Sequence, residues 1–338
     1  SLMPGPERTR VGLVCNDLGL SPLEYAGSLA ARVRPLVAGA SRVVVKTNQM
    51  VANDLAVELA RDLRAPGRTV ALIARGGYWW SRFVEAEHEA ESPQARDAVA
   101  REARLCRGAD LVVGTSREMV QGLIEKHGLD PGAAALIPNY VVVDCASSPV
   151  AREPGTVLYA GQLVARKRVD VLVRAAAILA KQSSGFVRMD IVGAGPELGA
   201  LRGLAESLQA PVRFEPRVPH EELLRRMAGT AVYAQTSALE GHPKTVIEAM
   251  ATGAPVVVAP SPGLGCVVRD GVSGVVAEPT PEAFAGAIGE LLTNDELRVA
   301  MGAAAARESI ANYGLDSVLK LELAAHESAL ARAAGRSH

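Results

Sequence analysis

Two carboxylates in one short segment are the residues whose types and spacing first suggest chemistry. The run Thr236-Ser-Ala-Leu-Glu240-Gly-His-Pro-Lys-Thr-Val-Ile-Glu248 places Glu240 in a loop and Glu248 in the second turn of the helix that follows. Pro243 suits the first turn of that helix, where a backbone N–H would have no intrahelical acceptor. Gly241 permits close backbone approach, so free amides around His242, Pro243, Lys244 and Thr245 can meet a diphosphate. Both carboxylates then point into one cleft from different depths. The plainer alternative makes Glu248 a surface helix residue and Glu240 a cap.

Two further turns lie upstream. Gly161-Gln162-Leu163-Val164-Ala165-Arg166-Lys167-Arg168 puts three consecutive cations beside a helix start, which suits a phosphate, although alone it also reads as a solvated basic turn. Gly193-Ala-Gly195-Pro-Glu-Leu-Gly199 follows a strand, but its third glycine is one place late for a dinucleotide fingerprint. It reads as a tight strand-to-helix turn with Pro196 at the first helical position.

The elements that must hold these turns alternate. Strands are expected at Arg10–Cys15, Arg42–Lys46, Thr69–Ala74, Leu111–Gly114 and Ala134–Ile137, with helices at Glu24–Leu36, Asp54–Leu63, Gln94–Arg107 and Arg117–Lys126. Ser116 is the expected N-cap of the last of these. Periodicity stops over Asp144–Gly155, a polar linker with Pro and Gly, and then restarts. Strands follow at Thr156–Ala160, Arg188–Val192, Val212–Phe214, Ala231–Gln235, Pro255–Ala259 and Gly274–Ala277, and helices at Val169–Lys181, Pro196–Leu208, His220–Met227, Thr245–Thr252, Pro281–Leu292 and Asp295–Ile310. Such alternation predicts an α/β chain with two doubly wound halves facing a cleft. The expected units are residues 3–145, residues 155–310, and a helix within 311–335 that packs back across both.

Composition excludes other classes. Over 338 residues the 36 basic and 37 acidic side chains nearly cancel, which argues against a nucleic-acid partner. The four cysteines include no Cys-x-x-Cys pair, so neither a zinc site nor a disulfide framework is expected. Pro4–Arg10 is polar and opens no secretory leader, and prolines and glycines break the uncharged stretch Ala249–Val268. A soluble, cytoplasmic protein is expected.

The string from Ser237 to Val256, with the turns at Gly161 and Val192, resembles the retaining nucleotide-sugar glycosyltransferases of family 4 (group 1). That family carries Gly-Arg-Leu…Lys-Gly, then Val-Gly-x-Gly-Pro, then Ser-x-x-Glu-Gly-Phe-Gly/Pro…Glu-Ala-Met-Ala-x-Gly-x-Pro-Val. Asp270-Gly-Val-Ser-Gly274 fits the loop before the family's next strand. The resemblance implies the GT-B fold, two Rossmann-like domains with the donor in the second. It implies that Lys167 contacts the donor diphosphate, Glu240 the donor sugar and Glu248 the ribose. Gly161, Gln162, Arg166, Gly193, Gly195 and the Gly241–Thr245 loop complete the donor site. It implies no cofactor and no metal, the nucleotide sugar being a substrate, and no Asp-x-Asp occurs in the chain.

Departures from the pattern sharpen the expectations. Gln162 stands for the family's Arg, so Arg166 or Arg168 would replace its charge. His242 stands for the usual aromatic residue. The family's first-domain His has no match; Arg75-Gly-Gly-Tyr78-Trp79-Trp80-Ser81 stands near its place. Its glycines and aromatics suit a sugar-stacking acceptor loop, the alternative being an ordinary loop with an aromatic anchor. The implied partners are a nucleotide sugar and a sugar or lipid-linked acceptor, with peripheral contact at the inner membrane face if the acceptor is lipid-linked. A sugar-nucleotide epimerase or phosphorylase of the same fold, or a relative that binds donor without turnover, are the alternatives.

Overall fold

The computed structural model describes residues 22–51, 54–89, 91–142, 152–182 and 188–336. The expected strand at Arg10–Cys15 and residues 144–151 of the expected linker lie outside these. The first sheet is parallel, in the order β1 (Arg42–Lys46), β2 (Thr69–Arg75), β3 (Leu111–Gly114), β4 (Ala134–Leu136). Its helices are α1 (Pro22–Val33), α2 (Ala56–Asp62), α3 (Trp80–Glu87), α4 (Pro93–Gly108) and α5 (Arg117–His127). Ser116 caps α5, accepting from the Met119 N–H at 3.1 Å. Helix α3 was not expected: the stretch reads as a loop because glycines and aromatics precede it, yet Trp80 opens the helix.

The second sheet has six parallel strands, β5 (Glu153–Ala160), β6 (Arg188–Val192), β7 (Val212–Glu215), β8 (Thr230–Gln235), β9 (Val256–Val258) and β10 (Val275–Val276). They are laid out as β10-β9-β8-β5-β6-β7. The chain runs outward through β6 and β7, returns to pair β8 beside β5, then runs outward the other way. Helices α6 (Val169–Gln182), α7 (Leu198–Leu208), α8 (His220–Gly229) and α9 (Lys244–Ala251) make the connections, and α10 (Pro281–Thr293) and α11 (Asp295–Tyr313) follow the last strand. Strand β5 starts at Glu153 rather than Thr156, so the end of the expected linker is already sheet. Helix α7 starts at Leu198 rather than Pro196, because the Glu197 N–H is held by the Leu163 carbonyl at 3.0 Å and the turn stays open two residues longer.

Pleat alternation divides the first domain's core. Val70, Leu72 and Ala74 face α2 and α4, whereas Ala71 and Ile73 of β2 with Leu111 and Val113 of β3 face the opposite way. That second face is covered by α12 (Leu315–Gly335), through Val318, Ala325, Ala329, Leu330 and Ala333. The last helix described thus belongs to the first sheet. The two domains also meet where the Val141 N–H bonds the Tyr313 carbonyl at 2.8 Å. No helix among the described residues is long and apolar enough to cross a membrane.

Candidate functional site

Order reversal at β5 and β8 opens a crevice beyond their carboxyl ends, where ligands bind in open α/β sheets. The basic turn leaves β5, and the Glu240 loop leaves β8. The topology therefore brings the two sequence clusters to opposite sides of one crevice.

After β5 the chain makes a 3-10 turn, Ala165–Lys167, and Arg168 adopts a left-handed conformation (φ 48°). For a non-glycine residue this costs about 1–3 kcal/mol. The reversal separates neighbouring cations: Arg168 donates to the Pro279 carbonyl at 3.1 Å, away from the crevice, while Lys167 turns inward. Lys167 Nζ donates to Glu240 Oε1, the same oxygen that accepts from Gln235 Nε2 at 3.1 Å. Both ends of the pair are about nine-tenths buried. Burial pushes the Lys167 ammonium below its ordinary range, and Glu240 opposes that shift. Glu240 is fixed through its backbone too, its N–H bonding the Pro262 carbonyl at 2.9 Å. Gly263 abuts it with φ +83°; a Cβ there would stand 2.3 Å from the Glu240 carbonyl oxygen.

Glu248 lies in the second turn of α9 and is 3% exposed, so the surface-helix alternative fails. His220 Nε2, from the start of α8, meets its Oε1 at 2.8 Å, and Lys244 Nζ approaches the same oxygen at 3.6 Å. The first N–H groups of α9 have no intrahelical acceptor. Val246 and Ile247 N–H bond the Pro243 carbonyl at 3.0 and 3.1 Å, so the Lys244 and Thr245 N–H groups are the ones without a helical acceptor. The Thr245 hydroxyl lies against that of Tyr233.

Gly193 and Gly195 have a packing role. A Cβ on Gly193 would sit 1.9 Å from the Gly161 carbonyl oxygen, and one on Gly195 would sit 2.1 Å from that of Leu163. The two turns are laced together by Gly161 N–H to Val192 O at 3.1 Å and Leu163 N–H to Ala194 O at 3.0 Å. The Gly161 position is crowded by the Tyr159 hydroxyl, which donates to the Gln162 carbonyl at 3.0 Å; the Gln162 side chain is exposed.

Several contacts cross the cleft. Arg166 reaches Glu240 Oε2 at 3.9 Å and Glu87 of α3 at 3.4 Å, and its guanidinium lies over the Phe83 ring at 5.1 Å. Of the two cations expected to replace the missing arginine, only Arg166 stands at the site. Gly241 packs against Gly77 and Tyr78; a Cβ on it would be 2.4 Å from that of Tyr78. Asn139 Nδ2 donates to the His242 carbonyl at 3.1 Å. The His242 ring meets Tyr313 edge-on at 5.0 Å, and its buried Nδ1 has no partner among the described residues. Arg75 is buried and pairs with Glu322 of α12 at 3.4 Å.

The aromatic loop divides. Tyr78 faces the cleft, whereas Trp79 is the anchor of the plainer reading. Its indole packs on Gly122, where a Cβ would come within 2.0 Å, and its Nε1 donates to Glu102 at 3.2 Å. Trp80 packs on the first core. The sequence reading missed Glu102, fully buried on α4. It accepts from Ser81 N–H at 3.0 Å, Ser81 Oγ at 2.7 Å and Trp79, and lies 2.9 Å from His127 Nε2. A charged residue on the apolar stripe of Ala95, Ala98 and Leu105 was the available signal. His220 was missed as well, and nothing local in the sequence marks it.

Residues 145–308 match the family of glycosyl transferases, group 1. A D-inositol 3-phosphate glycosyltransferase of Streptomyces griseus subsp. griseus is 29% identical over 291 residues, which cover 74% of this chain and 61% of that protein. One from Corynebacterium urealyticum is 34% identical over 171 residues, 48% of this chain and 40% of its own length. The chain thus spans under two thirds of these relatives. Among solved structures, Anabaena HepE in complex with UDP-glucose aligns with a TM-score of 0.72 at 19% identity, covering 91% of this chain and 83% of its own. Sucrose-phosphate synthase from Thermosynechococcus elongatus gives 0.71 at 20% identity, with 90% and 78% covered. Residues 145–308 are thus similar to a group 1 glycosyltransferase domain, and the chain has the GT-B fold.

Proposed function

We propose that the protein transfers a sugar from a nucleoside diphosphate to an acceptor hydroxyl with retention of configuration and without a metal. The observation that carries this reading is the buried Lys167–Glu240 pair at the β5/β8 crevice, with Glu248 one helical turn further in. Without ligand the ammonium is neutralised by Glu240. A donor diphosphate brings its own negative charge to Lys167 and the start of α9, which stabilise the leaving phosphate as the bond to the anomeric carbon breaks. The oxocarbenium-like sugar left behind faces Glu240, freed from its cation, and the acceptor hydroxyl enters on the face the phosphate leaves. Its proton passes to the departing phosphate. Glu248, oriented by His220, accepts the ribose hydroxyls.

No cluster of three or more His, Cys, Asp and Glu side chains that could hold a cation occurs among the described residues. In this reading Lys167, Arg166 and the helix start carry the charge a metal would otherwise compensate. The donor's nucleoside is read as uridine because the structure-aligned HepE binds UDP-glucose. The acceptor enters past Tyr78 and the Gly76-Gly77 loop. A phosphorylated polyol is the acceptor class suggested by the inositol-phosphate relatives. The exposed Gln162 favours a second reading, donor binding without turnover. Incubating the protein with UDP-glucose and following the anomeric configuration of the sugar released or transferred separates the two: α-product supports retention, β-product refutes it, and no product with retained donor binding supports the second.

A further inference from the structure

Three helices of the first domain end at one place. Helices α2, α4 and α12 finish at Asp62, Gly108 and Gly335, beside the amino-terminal ends of β2 and β3. The cleft lies at the other ends of those strands, beyond Arg75 and Gly114. The length of β2, roughly 20 Å, separates the two places. Between the helix ends is a cavity of about 380 Å3 into which Arg61, Arg64, Arg107 and Arg336 converge.

Helix carboxyl ends attract cations, so part of this charge is accounted for. Arg107 Nε donates to the His127 carbonyl at 3.3 Å, and Arg336 donates to the Ala109 carbonyl at 3.3 Å while pairing with buried Asp110 at 3.3 Å. Arg61 has Asp62 at 3.8 Å. Among the described residues Arg64 and Arg107 have no carboxylate partner. Two of the four exposed arginines that line the recess, contributed from three helix ends, are therefore unmatched among the described residues. Arginine forks match phosphate oxygens in pairs, which the compact ammonium of lysine does not. The floor is aliphatic, built by Val57, Ala60 and Ala333. It is shaped for the carbon portion of an ester rather than for a bare ion.

We propose that this cavity binds a phosphoester anion at a second site, remote from the sugar-transfer cleft. The ligand chemistry is a phosphate group carrying a short aliphatic substituent, supplied either by a soluble phosphomonoester or by the glycerophosphate headgroup of an anionic lipid. The inference stands independently of the reading of the cleft, since no residue is shared between them.

The test compares the wild-type chain with Arg64→Ala/Arg107→Ala, titrating each with glycerol 3-phosphate and with vesicles of phosphatidylcholine, with and without phosphatidylglycerol. The double variant should lose affinity about tenfold or more for at least one anionic probe, as expected when two charge-assisted pairs are removed, with a cooperative melt in phosphate-free buffer lowered only by loss of the Arg107–His127 hydrogen bond. Loss for glycerol 3-phosphate assigns a soluble ester; loss confined to phosphatidylglycerol vesicles assigns a headgroup. The proposal is overturned if the wild type binds neither probe, or if the double variant binds both as the wild type does. Should the double variant fold poorly, Arg64→Glu alone, at an exposed and unpaired position, is read against the same outcomes.

Discussion

Glu240 and Glu248 stand eight positions apart and both are buried, yet their surroundings differ in kind. Glu240 is held by side chains from other strand ends: Lys167 across the crevice, Gln235 below it and Arg166 alongside. Glu248 is held by half-exposed groups at two helix starts, His220 of α8 and Lys244 of its own helix. In the proposed reaction the first arrangement comes apart when the donor arrives, because its phosphate competes for the same ammonium. The second need not change at all. A carboxylate that exchanges partners during the reaction belongs with the reacting atoms, and one that keeps its partners belongs with recognition.

The largest test of that contrast removes the shared cation. Lys167→Ala should lower kcat/KM by about 2–4 kcal/mol, roughly thirty- to a thousandfold, with most of the loss in kcat. It also leaves Glu240 buried beside only a distant Arg166, so the fold should weaken, and Lys167→Ala/Glu240→Ala should melt at a higher temperature than Lys167→Ala. A single variant within threefold of wild type in kcat would move the diphosphate contact to Arg166.

Next come the carboxylates themselves. Glu248→Ala should weaken UDP and UDP-glucose alike, by about 1–3 kcal/mol, raising KM more than it lowers kcat. Glu240→Ala should depress kcat without weakening UDP, since that ligand lacks the sugar and loses a competitor for Lys167. Calorimetric titration of both variants with both ligands decides. Equal weakening of UDP in the two would erase the contrast.

A smaller effect concerns His242, which sits between the two carboxylates in sequence but points to the domain junction. Burial, with the Arg75 charge near it, pushes its imidazole down to about 4. Unfolded it titrates near ~6.5, so the unfolded chain takes up the proton first as pH falls. The stability it contributes is complete above about 6.5 and is lost as pH falls toward 4, by at most about 3 kcal/mol. His242→Phe should keep the contact with Tyr313 and flatten denaturant-measured stability across that window. Burial holds His326 down as well, which leaves a residual slope. An unaltered slope would place the effect elsewhere. The smallest expectation is no change: turnover should survive EDTA, and strict dependence on added Mg2+ or Mn2+ would show that Lys167 and Arg166 do not suffice.

The sequence revealed the second domain more fully than the first. Strands β5 and β6 and the turns after them could be placed because short apolar runs end in glycine, and β8 because the Thr236–Glu248 string follows it. Helix α3 could not: its identity depends on Glu102, twenty-one positions away from Ser81, supplying the acceptor that its own first residues lack. The Lys167–Glu240 pair was equally invisible, since the two residues are 73 positions apart and meet only because β8 returns to β5. The sequence motif named both residues without showing that each neutralises the other. Likewise the aromatic string Tyr78-Trp79-Trp80 looks uniform on paper, and only packing separates the cleft-facing ring from the two that serve the core.

Helix α12 carries a consequence for synthesis. The face of the first sheet formed by Ala71, Ile73, Leu111 and Val113 stays bare until Ala325, Ala329 and Ala333 have been made. Every residue of the second sheet leaves the ribosome before that happens. The usual order, in which the amino-terminal domain finishes first, is therefore inverted. The second domain can close its core while the first waits as a sheet covered on one side, its apolar face open to other nascent chains and to chaperones. A released chain truncated just short of residue 315 should accordingly have a folded second domain tethered to a sticky, half-built first one.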